Sequence, residues 1–94
     1  MEGLARLKVP GGKLLTVKVK YSQKIDSIQL LGDFFLYPES SLKLIEETLV
    51  GMGIDSTLAQ ISSKVAEIVA KNEIELIGIT PDSIAQTVLM AVKK

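Results

Sequence analysis

The chain contains neither cysteine nor histidine. Without cysteine there is no disulfide, no thiol nucleophile and no thiolate metal site. Without histidine the commonest general base and the commonest zinc ligand are both missing. Tryptophan is absent too, and the aromatics come to two phenylalanines and two tyrosines. No apolar run approaches the roughly 20 residues that a membrane helix needs. Met1-Glu2-Gly3 offers neither a basic nor an apolar leader segment, so the expectation is a cytoplasmic chain with no secretory signal and no membrane partner. What remains is ordinary globular material: 94 residues, 47% apolar and 23% charged. That suits one domain, 1–94, with a single modest core.

The formal net charge is zero, but the sum conceals an asymmetry. The first 26 residues carry six cations (Arg6, Lys8, Lys13, Lys18, Lys20, Lys24) against Glu2 and Asp26. The remainder carries five lysines against nine acids. A basic first part beside an acidic second part points to an anionic ligand or partner at the former. The simpler reading is a solvated sheet face whose lysines guard it against aggregation.

Alternation organises the first third of the chain. Ala5, Leu7 and Val9 fall on one face of a strand, with Leu4, Arg6 and Lys8 on the other. Pro10-Gly11-Gly12 breaks the pattern and predicts a hairpin loop. Leu15, Val17, Val19 and Tyr21 then alternate with Thr16, Lys18 and Lys20. Antiparallel pairing joins the two apolar faces and gathers Arg6, Lys8, Lys18 and Lys20 on the opposite one. Ile25 to Leu31 reads as a third strand with Ile28 and Leu30 inward. Leu31 suggests that this strand is covered on both sides.

Helical spacing takes over after Pro38, which suits the first position of a helix. Leu42, Ile45 and Leu49 form its stripe, Glu46 and Glu47 its solvated side, and Gly51 its stop. Asp55 or Ser56 is the expected cap of a second helix bearing Leu58, Ile61, Val65, Ile68 and Val69, with Asn72 as its end. Glu73 to Gly78 fits a short extended piece or a single turn equally well. Thr80-Pro81-Asp82 combines a hydroxyl cap, a proline at the first position and an acid at the positive end of the dipole, opening a last helix with Ile84, Val88, Leu89 and Val92 buried. The expected fold class is α+β: a three-stranded antiparallel sheet followed by about three helices packed on one face.

Candidate chemistry is sparse. Gly11, Gly12 and Lys13 invite a phosphate-loop reading, but the spacing is wrong, no Ser or Thr follows the lysine, and a strand follows in place of a helix. A tight turn with a solvated lysine explains them more simply. Gly32-Asp33-Phe34-Phe35 is the most suggestive stretch. Asp33 is read as a turn or cap residue. Adjacent Phe34 and Phe35 must diverge in direction, so either one is an exposed partner anchor or both are drawn into the core. No calcium-loop spacing accompanies the Glu46/Glu47 or Glu73/Glu75 pairs, so no metal site is expected. No nucleophile–base pair can be assembled. The residues therefore describe a binding or accessory module and not a complete enzyme.

Gly32-Asp33-Phe34-Phe35, followed by Pro38, Glu39 and a leucine-rich acidic helix ending Leu49-Val50-Gly51, resembles the C-terminal accessory domain of lipoate–protein ligases. The opening from Lys8 to Lys13 is similar to the start of that domain, and the resemblance runs in order over nearly the whole chain. It implies the small α+β fold shared with sulfur-transfer accessory proteins of the SufE and NifU kind. It implies the small subunit of a split, archaeal-type ligase, required with a large catalytic subunit to activate lipoate to lipoyl-adenylate. It implies a heterodimer that uses ATP, Mg2+ and lipoate, none bound by this chain alone, and that meets the lipoyl-acceptor domain indirectly. Two roles are open. Lys13, or the Lys18/Lys20 face, supplies a cation to the developing phosphate charge; or docking orders the large subunit's own loops. The second is preferred because no residue has a catalytic signature of its own. For docking, the Gly32–Phe35 corner is preferred over the basic sheet face. The competing class is a non-enzymatic module that binds RNA or protein through that basic face. RNA is disfavoured because Tyr21 is expected on the buried side, leaving no stacking pair.

Overall fold

A computed structural model of the chain describes residues 1–9, 11 and 13–92. Pro10, Gly12, Lys93 and Lys94 lie outside the described residues. The elements are β1 (Glu2–Val9), β2 (Lys13–Tyr21), β3 (Ile25–Gly32), β4 (Phe35–Tyr37), α1 (Ser41–Leu49), α2 (Leu58–Lys71), β5 (Glu75–Ile77) and α3 (Pro81–Val92). Strands β1, β2 and β3 form an antiparallel sheet in that order, and β4 with β5 form a separate two-stranded ribbon. The fold is α+β as expected, with the ribbon added.

The alternation of the sequence is the alternation of the sheet. Ala5 and Val9, then Leu15, Val17, Val19 and Tyr21, then Ile28 and Leu30, are all buried on one face. Helix α3 lies over β1 and β2, and α1 over β3. Ile84, Val88 and Val92 from α3, Ile45 and Leu49 from α1, and Ile61 and Val65 from α2 complete the core. The approach of α3 is close enough that a Cβ on Gly3 would run into the Ala91 carbonyl oxygen. Only glycine lets β1 pass there.

The opposite face of the sheet is bare. Leu4, Arg6, Lys8, Lys18, Lys20 and Leu31 are all exposed on or beside it. Leu31 is 44% exposed, so β3 is covered on one side only, contrary to expectation. The reason is that α1 and α3 pack against the sheet from the inner side, α2 packs on those two helices, and among the described residues no helix returns to the outer face.

Several ends differ from the sequence reading. Pro38 precedes α1 instead of opening it; its carbonyl accepts from the Ser41 N–H at 3.0 Å in a turn. Gly51 follows an extended Val50 cap, and its N–H donates to the Ile25 carbonyl of β3 at 2.8 Å, outside α1. The cap of α2 is Thr57, not Asp55 or Ser56. Its hydroxyl accepts from the Gln60 N–H at 3.1 Å, and the Gln60 side chain accepts from the Thr57 N–H at 2.9 Å. That reciprocal capping box outcompetes the neighbouring caps, because it satisfies two free donors together. Ser56 bonds back to the Gly53 carbonyl. Leu58 consequently starts the helix on its outer side and is 41% exposed. Asn72 ends α2, and Thr80 caps α3, its hydroxyl accepting from the Ser83 N–H at 3.0 Å, as read from the sequence.

Candidate functional site: the corner between sheet and ribbon

The corner begins where β3 runs out. Gly32 has φ of +148°, and a Cβ there would collide with the Leu14 carbonyl oxygen. A glycine is therefore required for the chain to leave the sheet at this point. Asp33 follows, its N–H donating to that same Leu14 carbonyl at 3.0 Å, so its backbone closes the turn. The two phenylalanines then part. Phe34 packs half-buried against the core. Phe35 is 66% exposed and opens β4.

Strand β4 pairs antiparallel with β5: Phe35 with Ile77, Leu36 with Leu76, Tyr37 with Glu75. The period-two rule sends Leu36 and Leu76 inward, where Leu36 is buried. It sends Phe35, Tyr37 and Ile77 outward. Tyr37 is 70% exposed and Ile77 46%. Two aromatics and an isoleucine on one face of a short ribbon form an apolar patch of the kind that marks a protein contact.

Lys13 reaches this corner from the first position of β2. It pairs with Val9 and shares the inward parity of Leu15, not the outward parity of Lys18 and Lys20. Its side chain bends over Gly78, where a Cβ would stand 3.0 Å from Lys13 Cγ. A depression of about 420 Å³ is lined by Lys13, Gly32, Asp33, Phe34 and Phe35. The structure thus unites two sets of residues that the sequence left separate, the hairpin lysine and the Gly-Asp-Phe-Phe corner. It also divides the set of anion candidates. Lys18 and Lys20 stand on the open face, five and seven residues along β2, at roughly 3.3 Å per residue. Gly11 sits exposed at the hairpin tip with nothing close to it, and Gly12 lies outside the described residues. No single site contains Gly11, Lys13, Lys18 and Lys20.

The basic sheet face has its own shallow depression of about 720 Å³, bordered by Leu4, Lys18, Lys20 and Gln29 among others. Its cations are interleaved with Leu4, Leu14 and Leu31. Tyr21 is 4% exposed and turned to the core, so it offers no stacking surface there.

Two further residues carry roles that the sequence did not announce. Glu46, read as a solvated acid of α1, accepts the Leu30 N–H of β3 through Oε2 at 2.8 Å. Its place directly after the buried Ile45 put it on the flank facing the sheet. Tyr37 and Ile77 were missed because three-residue strands are too short for a pattern. Their only signal was the alternation of Phe35-Leu36-Tyr37.

Among the described residues no three acidic side chains converge on a point that could hold a metal ion. No buried side-chain polar atom there lacks a partner, so no hidden polar group waits for a ligand. Among the described residues no helix is long and apolar enough to cross a membrane.

The chain matches no family model and no curated protein. It is similar to a chain in a structure of an archaeal lipoylation system, a bi-partite lipoate protein ligase and its E2 lipoyl domain from Thermoplasma acidophilum. The TM-score is 0.76 and the identity 24%, covering 94% of this chain and 94% of that one. At that identity the likeness shows the fold.

Proposed function

We propose that this chain, in its whole length as one accessory domain, is the small subunit of a two-part lipoate–protein ligase. The observation that supports this most is the end-to-end likeness to a component of an archaeal bi-partite ligase system. It coincides with the independent resemblance of Gly32-Asp33-Phe34-Phe35 and its surroundings to the accessory domain of such ligases. The large catalytic subunit is the proposed partner, in a heterodimer, and the exposed Phe35–Tyr37–Ile77 patch is the proposed docking surface.

ATP, Mg2+ and lipoate are assigned in this reading to the large subunit. Two observations support that: among the described residues the acids do not converge on a cation site, and Lys13 opens a strand, without the helix N-terminus that completes a phosphate loop. The chemistry is then the large subunit's: the lipoate carboxylate attacks the α-phosphate of ATP, giving lipoyl-adenylate and releasing pyrophosphate. This chain contributes by docking. An aromatic patch held on a paired ribbon engages the closed arrangement of the partner's loops more strongly than the open one, and so shifts their population. The Lys13 stem lies over Gly78 at the corner, a placement that supports a part in shaping the docking corner.

The neighbouring structure also contains a lipoyl domain, which makes acceptor the second reading. An acceptor must present a free lysine to a foreign active site. Lys13, the lysine nearest the hairpin, instead lies half-buried in the corner. Incubation with ligase, ATP, Mg2+ and lipoate, followed by intact mass measurement, separates the two. The mass should not change. A gain of one lipoyl group would make the chain the acceptor and overturn the subunit reading. Lys13→Ala should leave both complex and adenylation intact; loss of adenylation with the complex preserved would restore donation in trans. Phe35→Ala should abolish capture of the large subunit while changing stability by less than about 0.5 kcal/mol, as for exposed residues in general.

A further inference from the structure

Among the described residues, no strand pairs with the outer edge of β1. Met1 and Tyr21 exchange both backbone hydrogen bonds at 2.8 Å. In an antiparallel ladder such pairs alternate. The odd residues of β1 therefore bond to β2, and Glu2, Leu4 and Arg6 turn their N–H and C=O groups outward. Beyond β2, among the described residues, the element packed closely on β1 is α3.

We infer that this edge is a dimerisation seam, where β1 pairs antiparallel with β1 of a second copy to make a continuous six-stranded sheet. The register is set by side-chain complementarity. With Leu4 opposite its own symmetry mate, Glu2 stands opposite Arg6 of the second copy and Arg6 opposite its Glu2. Both ends of the seam are thus opposite-charge pairs, and its centre joins two leucines that are each 52% exposed in the single chain. On the helix side the same register sets Gly3 against Ala5, small residues that leave room for both α3 helices. It also sets Met1, 70% exposed, against the half-buried Leu7. Outward-facing Glu2, Leu4 and Arg6 of each copy find backbone partners together. Charged residues on an edge ordinarily guard it against association. Here Glu2 and Arg6 have opposite signs and stand equally far from Leu4, so this register pairs them across the two copies, while Lys8 lies past the end of the seam. The Phe35 corner lies beyond the far end of β3, so the seam is compatible with the docking proposed above.

The test is sedimentation equilibrium of the full chain over a range of micromolar concentrations. The wild type should sediment as a dimer. Glu2→Arg and Arg6→Glu each set like charges opposite one another at both ends of the seam. Each should raise the dimer dissociation constant by about tenfold or more. An equimolar mixture of the two variants restores both ion pairs, and heterodimers should form. That rescue also shows that neither variant has simply unfolded. A wild type that stays monomeric throughout, or single variants that dimerise unchanged, would overturn the inference.

Discussion

The two edges of the three-stranded sheet are built differently. At β3 several of the free backbone groups are taken up from within the chain. The Leu30 N–H is accepted by Glu46. The Ile25 N–H is accepted by the Met52 carbonyl at 2.8 Å, and the Ile25 carbonyl accepts the Gly51 N–H. Lys24 makes an isolated bridge with Gly53. Helix α1 and the segment after it thus serve as a substitute strand. At β1 nothing comparable among the described residues stands beside the edge. An open edge is a liability unless it has a partner or a guard. Among the described residues, the chain covers part of one edge with a loop and a carboxylate and leaves the other without a covering element.

The contrast can be broken most severely through α3. Gly3→Ala should cost about 3 kcal/mol, because the new methyl meets the rigid Ala91 carbonyl and the helix must lift from β1. Urea unfolding measures this, and a cost below about 1 kcal/mol would mean that α3 is not held against the open edge as described. Ile45→Ala removes the fully buried anchor of α1 and should cost roughly 3 kcal/mol by leaving a cavity. It should also loosen the closed edge first, visible as faster amide exchange at Leu30 than at Val17.

Smaller changes sharpen the same contrast. Glu46→Ala should cost about 1 kcal/mol, since an N–H loses a charged acceptor but regains water. Its specific readout is hydrogen exchange: the Leu30 amide should lose protection while the amides that β3 shares with β2 keep theirs. Unchanged protection at Leu30 would mean that the carboxylate does not close this edge. Thr57→Ala, away from both edges, should cost about 1 kcal/mol through loss of the capping box and leave exchange along β1 and β3 alone.

How far the sequence could be read follows from the length of each pattern. Seven alternating residues from Leu15 to Tyr21 settle the faces of β2, and the assignment of Leu15, Val17, Val19 and Tyr21 to the core follows from parity alone. The same parity already separated Lys13 from Lys18 and Lys20. The α3 start was legible because three independent signals coincide at Thr80-Pro81-Asp82. The α2 start was not, because Asp55, Ser56 and Thr57 all qualify as caps; only the spacing to Gln60 distinguishes Thr57. The β4–β5 ribbon joins residues some forty positions apart in pieces of three, and nothing local encodes that pairing. It is also where the apolar patch resides. The basic face and the Gly-Asp-Phe-Phe corner could be seen in the sequence, whereas the partnership of Lys13 with that corner needed the fold.

The most direct test of the central claim is ATP–pyrophosphate exchange with lipoate, using a purified large ligase subunit with and without this chain. The subunit reading predicts exchange only when both chains are present, and its loss when Phe35→Ala replaces the wild type. Equal exchange by the large subunit alone, or no association between the two chains, would contradict it.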